Sequence, residues 1–467
     1  MQFDSLTYGA LLISTLIAFF AVGRRARPWV LLGASAIFYG AWSVKFLGLI
    51  GISAVVDYAC GLALVRVSGA RRRLVLLVSV ATNLGILGYF KYANFFIDNV
   101  VGLWGGQGAS FVEVVLPPGI SFYTFQTMSY TIDVYRGQIQ PTKSFTRFLV
   151  YVSFFPQLVA GPIERAARLM PRLHAAYAGR LRIGNLVAGT QLIVWGLFKK
   201  TVIADHCAAF VEPVYSNPSG YDGWAALVAT YAFTLQIYCD FSAYSEIARG
   251  SARLFGVELM RNFDQPYLVG NVREFWRHWH ISLSQWFRDY VYRPLGGNRG
   301  GRGRTLANLT ATMFLSGLWH GAAWTFVVWG LYHGVLLLVH ALTTATAPVR
   351  ALRARLGPAW TLGSVFVTFH LVVVGWVLFR AATFSDAQAV LHRIGDALHS
   401  SLPTGPQALF ILGVAAFVVG SAVMRRLRIR ERIDASPGLS VAVYAALLWG
   451  IAALGASGGP QFIYFQF

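Results

Sequence analysis

The chain has 467 residues, 56% of them hydrophobic and 15% aromatic, with only 12% charged. A soluble domain carries about twice that charged fraction, so the composition excludes an ordinary soluble protein and implies a polytopic membrane protein. The formal net charge of +20 would suggest a nucleic-acid partner in a soluble chain. Here the cations sit in short loops between apolar runs, which removes that reading.

Apolar runs at about 6–23, 29–44, 46–66 and 74–92 open the chain, each close to the roughly 17–25 residues that cross a bilayer as a helix. The first lacks a basic start and a small-residue cleavage site, and it reads as a retained membrane segment. Arg24, Arg25 and Arg27 follow it, and Arg71 to Arg73 precede the fourth. Further clusters stand at Arg299, Arg302 and Arg304, at Arg350, Arg353 and Arg355, and from Arg425 to Arg432. The positive-inside rule places these loops in the cytoplasm, so both termini are expected on the outer face.

Between about 92 and 185 the chain is less uniformly apolar. Pro117 and Pro118 preset turns and Gly119 permits a close approach. The run ISFYTFQTMSYTIDVYRG that follows reads as a lining packed within protein. In FFPQLVAGPIERA, Pro156, Gly161 and Pro162 interrupt the run at 145–160. That break predicts a re-entrant turn rather than a smooth span. Apolar runs follow at 186–210 and 224–243. In the second, Gln236 and Asp240 lie four apart on one helix face, suited to lining a tunnel. A charged Asp240 needs a partner there: it orients a catalytic histidine or ties helices together. Cys60, Cys207 and Cys239 have no paired spacing and indicate neither a disulfide framework nor a zinc site.

The stretch NVREFWRHWHISLSQWFRDYVYRPLGGNRGGRGR is the most textured. On a single helix, Arg273, Arg277, His280, Ser284 and Arg288 form a polar row beside an apolar row of Trp276, Trp279, Leu283 and Phe287. This predicts an amphipathic interfacial helix. Its basic face either anchors the chain to anionic lipid or guides a phosphate-bearing donor. The glycine-rich loop that follows lacks phosphate-loop spacing, so nucleotide hydrolysis is unsupported.

An apolar hairpin over 306–343 carries His320, an ionisable side chain at membrane depth that costs roughly 2–4 kcal/mol and is a functional candidate by default. Asn308, Thr312, Ser316 and His320 recur every four residues, a polar stripe suited to a tunnel wall. The plainer reading is a histidine that hydrogen-bonds a neighbouring helix. His333 and His340 share a helix face, but no carboxylate or thiolate cluster accompanies them, so no metal is expected. Runs at 361–380, 407–424 and 438–457 bring the total to roughly ten to twelve hydrophobic helices.

Taken together, PPGISFYTFQTMSYTIDVYRG, FFPQLVAGPIERA, GLFKKTVIAD, QIYCDFSAYSEIA, NFDQPYLVGNVREFWRHWHISLSQWFRDYVYRPLGG and MFLSGLWHGAAWTFVVWG resemble the membrane-bound O-acyltransferase superfamily. The likeness is to the bacterial branch holding the alginate O-acetyltransferase and teichoic-acid D-alanyl transferase membrane subunits. It runs from about 115 to 345 and resumes at GWVLFRA and the terminal FIYFQF, while the rest matches mainly in hydropathy. The resemblance implies a single all-α membrane domain over 1–467, with helices and re-entrant segments ringed around a central catalytic tunnel. It places His320 at the catalytic histidine and His280 at a second position, usually histidine or asparagine.

The implied activity is transfer of acetyl from a cytoplasmic thioester donor, acetyl-coenzyme A, across the bacterial inner membrane. The product is O-acetylation of an exported polysaccharide such as alginate, completed by periplasmic acetyltransferase partners, and both chain termini would be periplasmic. A neutral imidazole at His320 can take the proton of an attacking hydroxyl. His280, or a backbone N–H near Gly317 or Gly321, can stabilise the oxyanion. Arg273, Arg277 and Arg288 would receive the donor, and no bound cofactor or metal is needed. A partner of the D-alanyl transferase ends in a similar aromatic run, so Tyr464 in the tail 458–467 either relays the acyl group or anchors at the interface. Two alternatives stay open: D-alanyl transfer from a carrier-protein thioester, and a lipid or small-anion transporter that would tolerate His320→Gln.

Overall fold

The computed structural model describes residues 1–103, 115–344, 346–397, 399–456 and 458–463. Among them every regular element is helical and none is a β-strand. Among the described residues seven helices are long and apolar enough to cross a membrane: Val44–Leu64, Gly69–Val101, Ile183–Ser216, Trp324–Thr343, Pro358–Arg380, Gly405–Arg426 and Pro437–Leu454. The chain is a multi-pass membrane protein. Several of the other expected spans are helices of a different kind. Leu6–Ala21 and Arg27–Gly40 have 16 and 14 residues, which rise only about 24 and 21 Å against a hydrocarbon core of about 30 Å. Leu409, Leu412 and Val419 on Gly405–Arg426 are exposed, and Val414 alone on that helix is buried. An apolar helix exposed almost all round is suited to lipid.

The chain divides into two compact units: Met1–Ile193 with Tyr244–Arg261, and Val194–Ala243 with Asn262–Phe467. In the first, Val44–Leu64, Gly69–Leu87 and Ile120–Tyr135 pack on one another around the fully buried Asp57. Ser79 donates to its Oδ1 at 2.5 Å, Thr131 to the same oxygen at 3.1 Å, and Asn83 to Oδ2 at 2.7 Å. The aromatic helix Ile120–Tyr135 is buried along nearly its whole length, matching the expected internal lining. It begins after Gly119, whose φ of 74° and close approach to Leu158 and Val159 leave no room for a Cβ. The expected interruption of the run at 145–160 is present: the helix Phe145–Ser153 stops, and the buried residues 154–163 continue as turns. Arg27 departs from its loop reading. It is buried, starts a helix, and donates to the carbonyls of Tyr177 and Gly179 at the end of Ala166–Ala178, a C-terminal cap.

In the second unit the expected hairpin is two helices, Gly301–His320 and Trp324–Thr343, broken at 321–323. They pack closely at Gly317 and Gly330, where the facing backbone leaves no room for a Cβ on either residue. Pro358–Arg380 packs on Trp324–Thr343, and Trp279, Trp329, Trp376 and Phe379 fill the space between the elements. Trp279 and Trp376 ring centroids lie 4.8 Å apart, and Trp329 and Phe379 5.2 Å.

Candidate active site

His320 is the last residue of its helix and is 5% exposed. Its imidazole lies edge-on to Trp319, Trp329 and Phe379, with centroids 5.0, 5.0 and 5.3 Å away. One and two turns back along the same face, Ser316 and Thr312 line a cavity of about 1080 Å³. The spacing of four therefore leads from an open cavity to a buried imidazole. Asn308, one turn further, instead braces the loop before the helix, donating to the Gly297 carbonyl at 3.0 Å.

The cavity gathers all three expected donor-binding residues. Arg273, Arg277 and Arg288 line it, joined by Arg293, Arg299 and His340, which sequence reasoning had not assigned to a donor. Glu274 engages Arg277 at 2.5 Å. Asp289 takes Arg288 in a two-pronged contact at 2.9 and 3.1 Å and Arg293 at 3.0 Å. The hydrogen bond from Asp289 raises the Arg288 guanidinium above its ordinary range. Arg273 has no carboxylate within ion-pair distance among the described residues. A basic, roomy cavity of this kind suits a ligand with several phosphates.

The single amphipathic helix expected over this stretch is not present. Val272–His278 and Ile281–Phe287 are separate short helices, and Arg288–Tyr292 is a π-helical turn. The break falls on His280, whose φ of 41° and ψ of 56° put a non-glycine residue in the left-handed region. The kink removes His280 from the arginine row and buries it completely. There it meets Phe241 at 4.7 Å and Trp319 at 5.8 Å. Trp319 thus touches both histidines. Asn262 holds the kink, because its carbonyl accepts from Ile281 N–H at 2.9 Å and its side-chain oxygen from Ser282 N–H and Oγ–H at 3.1 and 2.9 Å. The sequence signal for Asn262 was faint, one polar residue in the mixed run NFDQPYL. Of the two proposed backbone donors, Gly317 lies inside the helix, where its N–H belongs to the ladder. Gly321 lies just past the helix end in extended backbone.

Gln236 and Asp240 are buried but do not line the cavity. Asp240 pairs with Lys200 at 2.9 Å and accepts from the Ile463 N–H at 2.7 Å. Lys200 was missed by sequence reasoning although its signal was plain, a lysine inside an apolar run. Tyr464 lies outside the described residues. His333 is fully buried between Trp276 and Trp329, each 5.0 Å away. Among the described residues no three His, Cys, Asp or Glu side chains gather as a metal site.

Residues 72–376, spanning parts of both units, match the membrane-bound O-acyltransferase family. The chain is similar to a probable alginate O-acetylase AlgI of Azotobacter vinelandii, 39% identical over 423 residues, 87% of this chain and 80% of the relative. It is also similar to a peptidoglycan O-acetyltransferase of Helicobacter pylori, 36% identical over 389 residues, 78% and 72% of the two chains. A teichoic acid D-alanyltransferase of Streptococcus thermophilus is 27% identical over 282 residues, 56% and 67% of the two.

Proposed function

The chain belongs to the membrane-bound O-acyltransferase family and is an O-acyltransferase, and on that premise we propose that it takes acetyl from a cytoplasmic thioester and delivers it outward for O-acetylation of an exported polysaccharide of the alginate kind. Family membership sets the transporter reading aside. The observation that carries the proposal is the row Thr312–Ser316–His320, which runs from the arginine-lined cavity to the buried imidazole. The guanidiniums of Arg273, Arg277 and Arg288 bind the phosphates of acetyl-coenzyme A, and the thioester arm follows the row to His320 through a central tunnel. Acetyl is favoured over D-alanyl because the relatives named for O-acetyl transfer are 36–39% identical and the D-alanyl one 27%. Both termini lie on the periplasmic side of the inner membrane, where partner acetyltransferases complete the transfer.

In the chemical step a hydroxyl oxygen attacks the thioester carbonyl carbon while the His320 imidazole takes the hydroxyl proton. Collapse of the tetrahedral intermediate breaks the C–S bond, and the thiolate leaves with the proton returned from His320 as free thiol. His280 or the Gly321 N–H stabilises the oxyanion in between. The attacking hydroxyl is that of Tyr464, which becomes an acetyl ester and then passes its acetyl to an acceptor hydroxyl, regenerating the phenol.

Purified protein in detergent with isotopically labelled acetyl-coenzyme A tests this. Release of thiol by wild type but not by His320→Ala, with label on Tyr464, is the expected result. No release from wild type, even with periplasmic partner proteins added, would remove acetyl-coenzyme A as donor. Release with no label on Tyr464, and polymer acetylation intact in Tyr464→Phe, would end the relay.

A further inference from the structure

Lys200, 1% exposed, lies in a π-helical turn over Lys199–Ala204. An ammonium has three N–H donors, and three oxygens surround this one: Asp205 Oδ1 at 2.8 Å, Asp240 Oδ1 at 2.9 Å and the Pro460 carbonyl at 2.8 Å. The first two come from helices and the third from the C-terminal segment. Asp240 is divided in the same way, with Oδ1 on Lys200 and Oδ2 accepting from the Ile463 N–H at 2.7 Å. The Phe462 ring covers the ammonium, its centroid 4.6 Å from Nζ, and Phe462 and Ile463 are 1% and 3% exposed. Upstream, the Ala456 N–H donates to the Thr201 carbonyl at 3.0 Å. Gly459 lies so close to the Asp205 carboxylate that a Cβ there would collide with it.

We propose that Lys200, Asp205 and Asp240 form a docking site for the chain's own segment 458–463 and act as positioning residues for the tail that follows. The site is specific because lifting the segment strips one acceptor from a buried ammonium and one donor from a buried carboxylate, each a charged group whose lost hydrogen bond is costly. The consequence for catalysis rests on the relay reading above. Tyr464 follows Ile463 directly, so the docked Ile463 N–H fixes the point from which the tyrosine reaches.

The test is hydrogen exchange of the C-terminal peptide in the full protein, with wild type compared with Gly459→Val and Lys200→Met. The valine drives a side chain into the Asp205 carboxylate while leaving the helices untouched, so it remains informative if Lys200→Met fails to fold. The Ile463 amide is expected to be protected in wild type and to exchange about tenfold or more faster in Gly459→Val, the loss anticipated for a hydrogen bond to a charged group. Equal exchange in wild type and Gly459→Val would overturn the docking, whatever is found on Tyr464. A protected tail without acetyl on Tyr464 keeps the docking and removes the relay. Where Tyr464 is labelled in wild type, acetyl on Tyr464 per thiol released should fall in Gly459→Val with the thermal midpoint unchanged. Full labelling of an undocked tail would overturn the positioning role.

Discussion

Asp57 and Asp240 are both carboxylates among helices, 0% and 3% exposed, yet their hydrogen bonds end in different places. Those of Asp57 end on Ser79, Asn83 and Thr131, side chains of helices in its own unit. That network is closed, and its work is to hold three helices in register. Asp240 and Lys200 give one oxygen and one proton to a stretch of chain that belongs to no membrane helix. In the same unit the Thr312–Ser316–His320 row opens onto a cavity. The two carboxylates thus differ in where their hydrogen bonds end: on neighbouring helices for Asp57, and partly on the C-terminal segment for Asp240.

Substitutions can break that contrast. The largest effect is expected at His320: His320→Ala should lower thiol release by about 10²–10⁴-fold, the usual worth of a general base, with the thermal midpoint in detergent unchanged. A fall in midpoint with activity per folded molecule intact would place His320 with Asp57 instead. Asp57→Ala should do the reverse, costing roughly 2–4 kcal/mol as Ser79, Asn83 and Thr131 lose their acceptor. Denaturation and turnover measured on one preparation check it, and lost turnover at full stability would contradict it. The smallest effect is expected at Arg273, where Arg273→Ala should raise KM for the donor about 3- to 10-fold at unchanged kcat, with the difference shrinking at high salt. A drop in kcat would move Arg273 from binding to chemistry.

The contrast itself was not legible in the sequence, which did not single out Asp57, but several local features were. The hairpin over 306–343, the helix interruption at Pro156 and Gly161, and the buried aromatic run after Gly119 all follow from local composition, because glycine, proline and hydroxyl patterning act within a few residues. Arg273, Arg277 and Arg288 were grouped by the period of one continuous helix, and they share a cavity although that helix is broken. What was hidden depended on distance or on a single torsion. Asp240 was seen to need a partner, but forty residues separate it from Lys200 and helical periodicity carries no information across that gap. The kink at His280 is one residue long, too short to leave a period, so the arginine row was extended through a histidine that the backbone turns away.

That kink also narrows the alphabet allowed at position 280. The left-handed basin excludes side chains branched at Cβ and favours asparagine, aspartate and histidine among non-glycine residues. Histidine and asparagine are the two letters that the family resemblance brings to this position, and both can donate a hydrogen bond. Of the residues that the torsion favours, the need for a hydrogen-bond donor keeps this pair and removes an ionised aspartate. A library randomised at this codon would be sifted first by which chains fold and only then by which of them turn over.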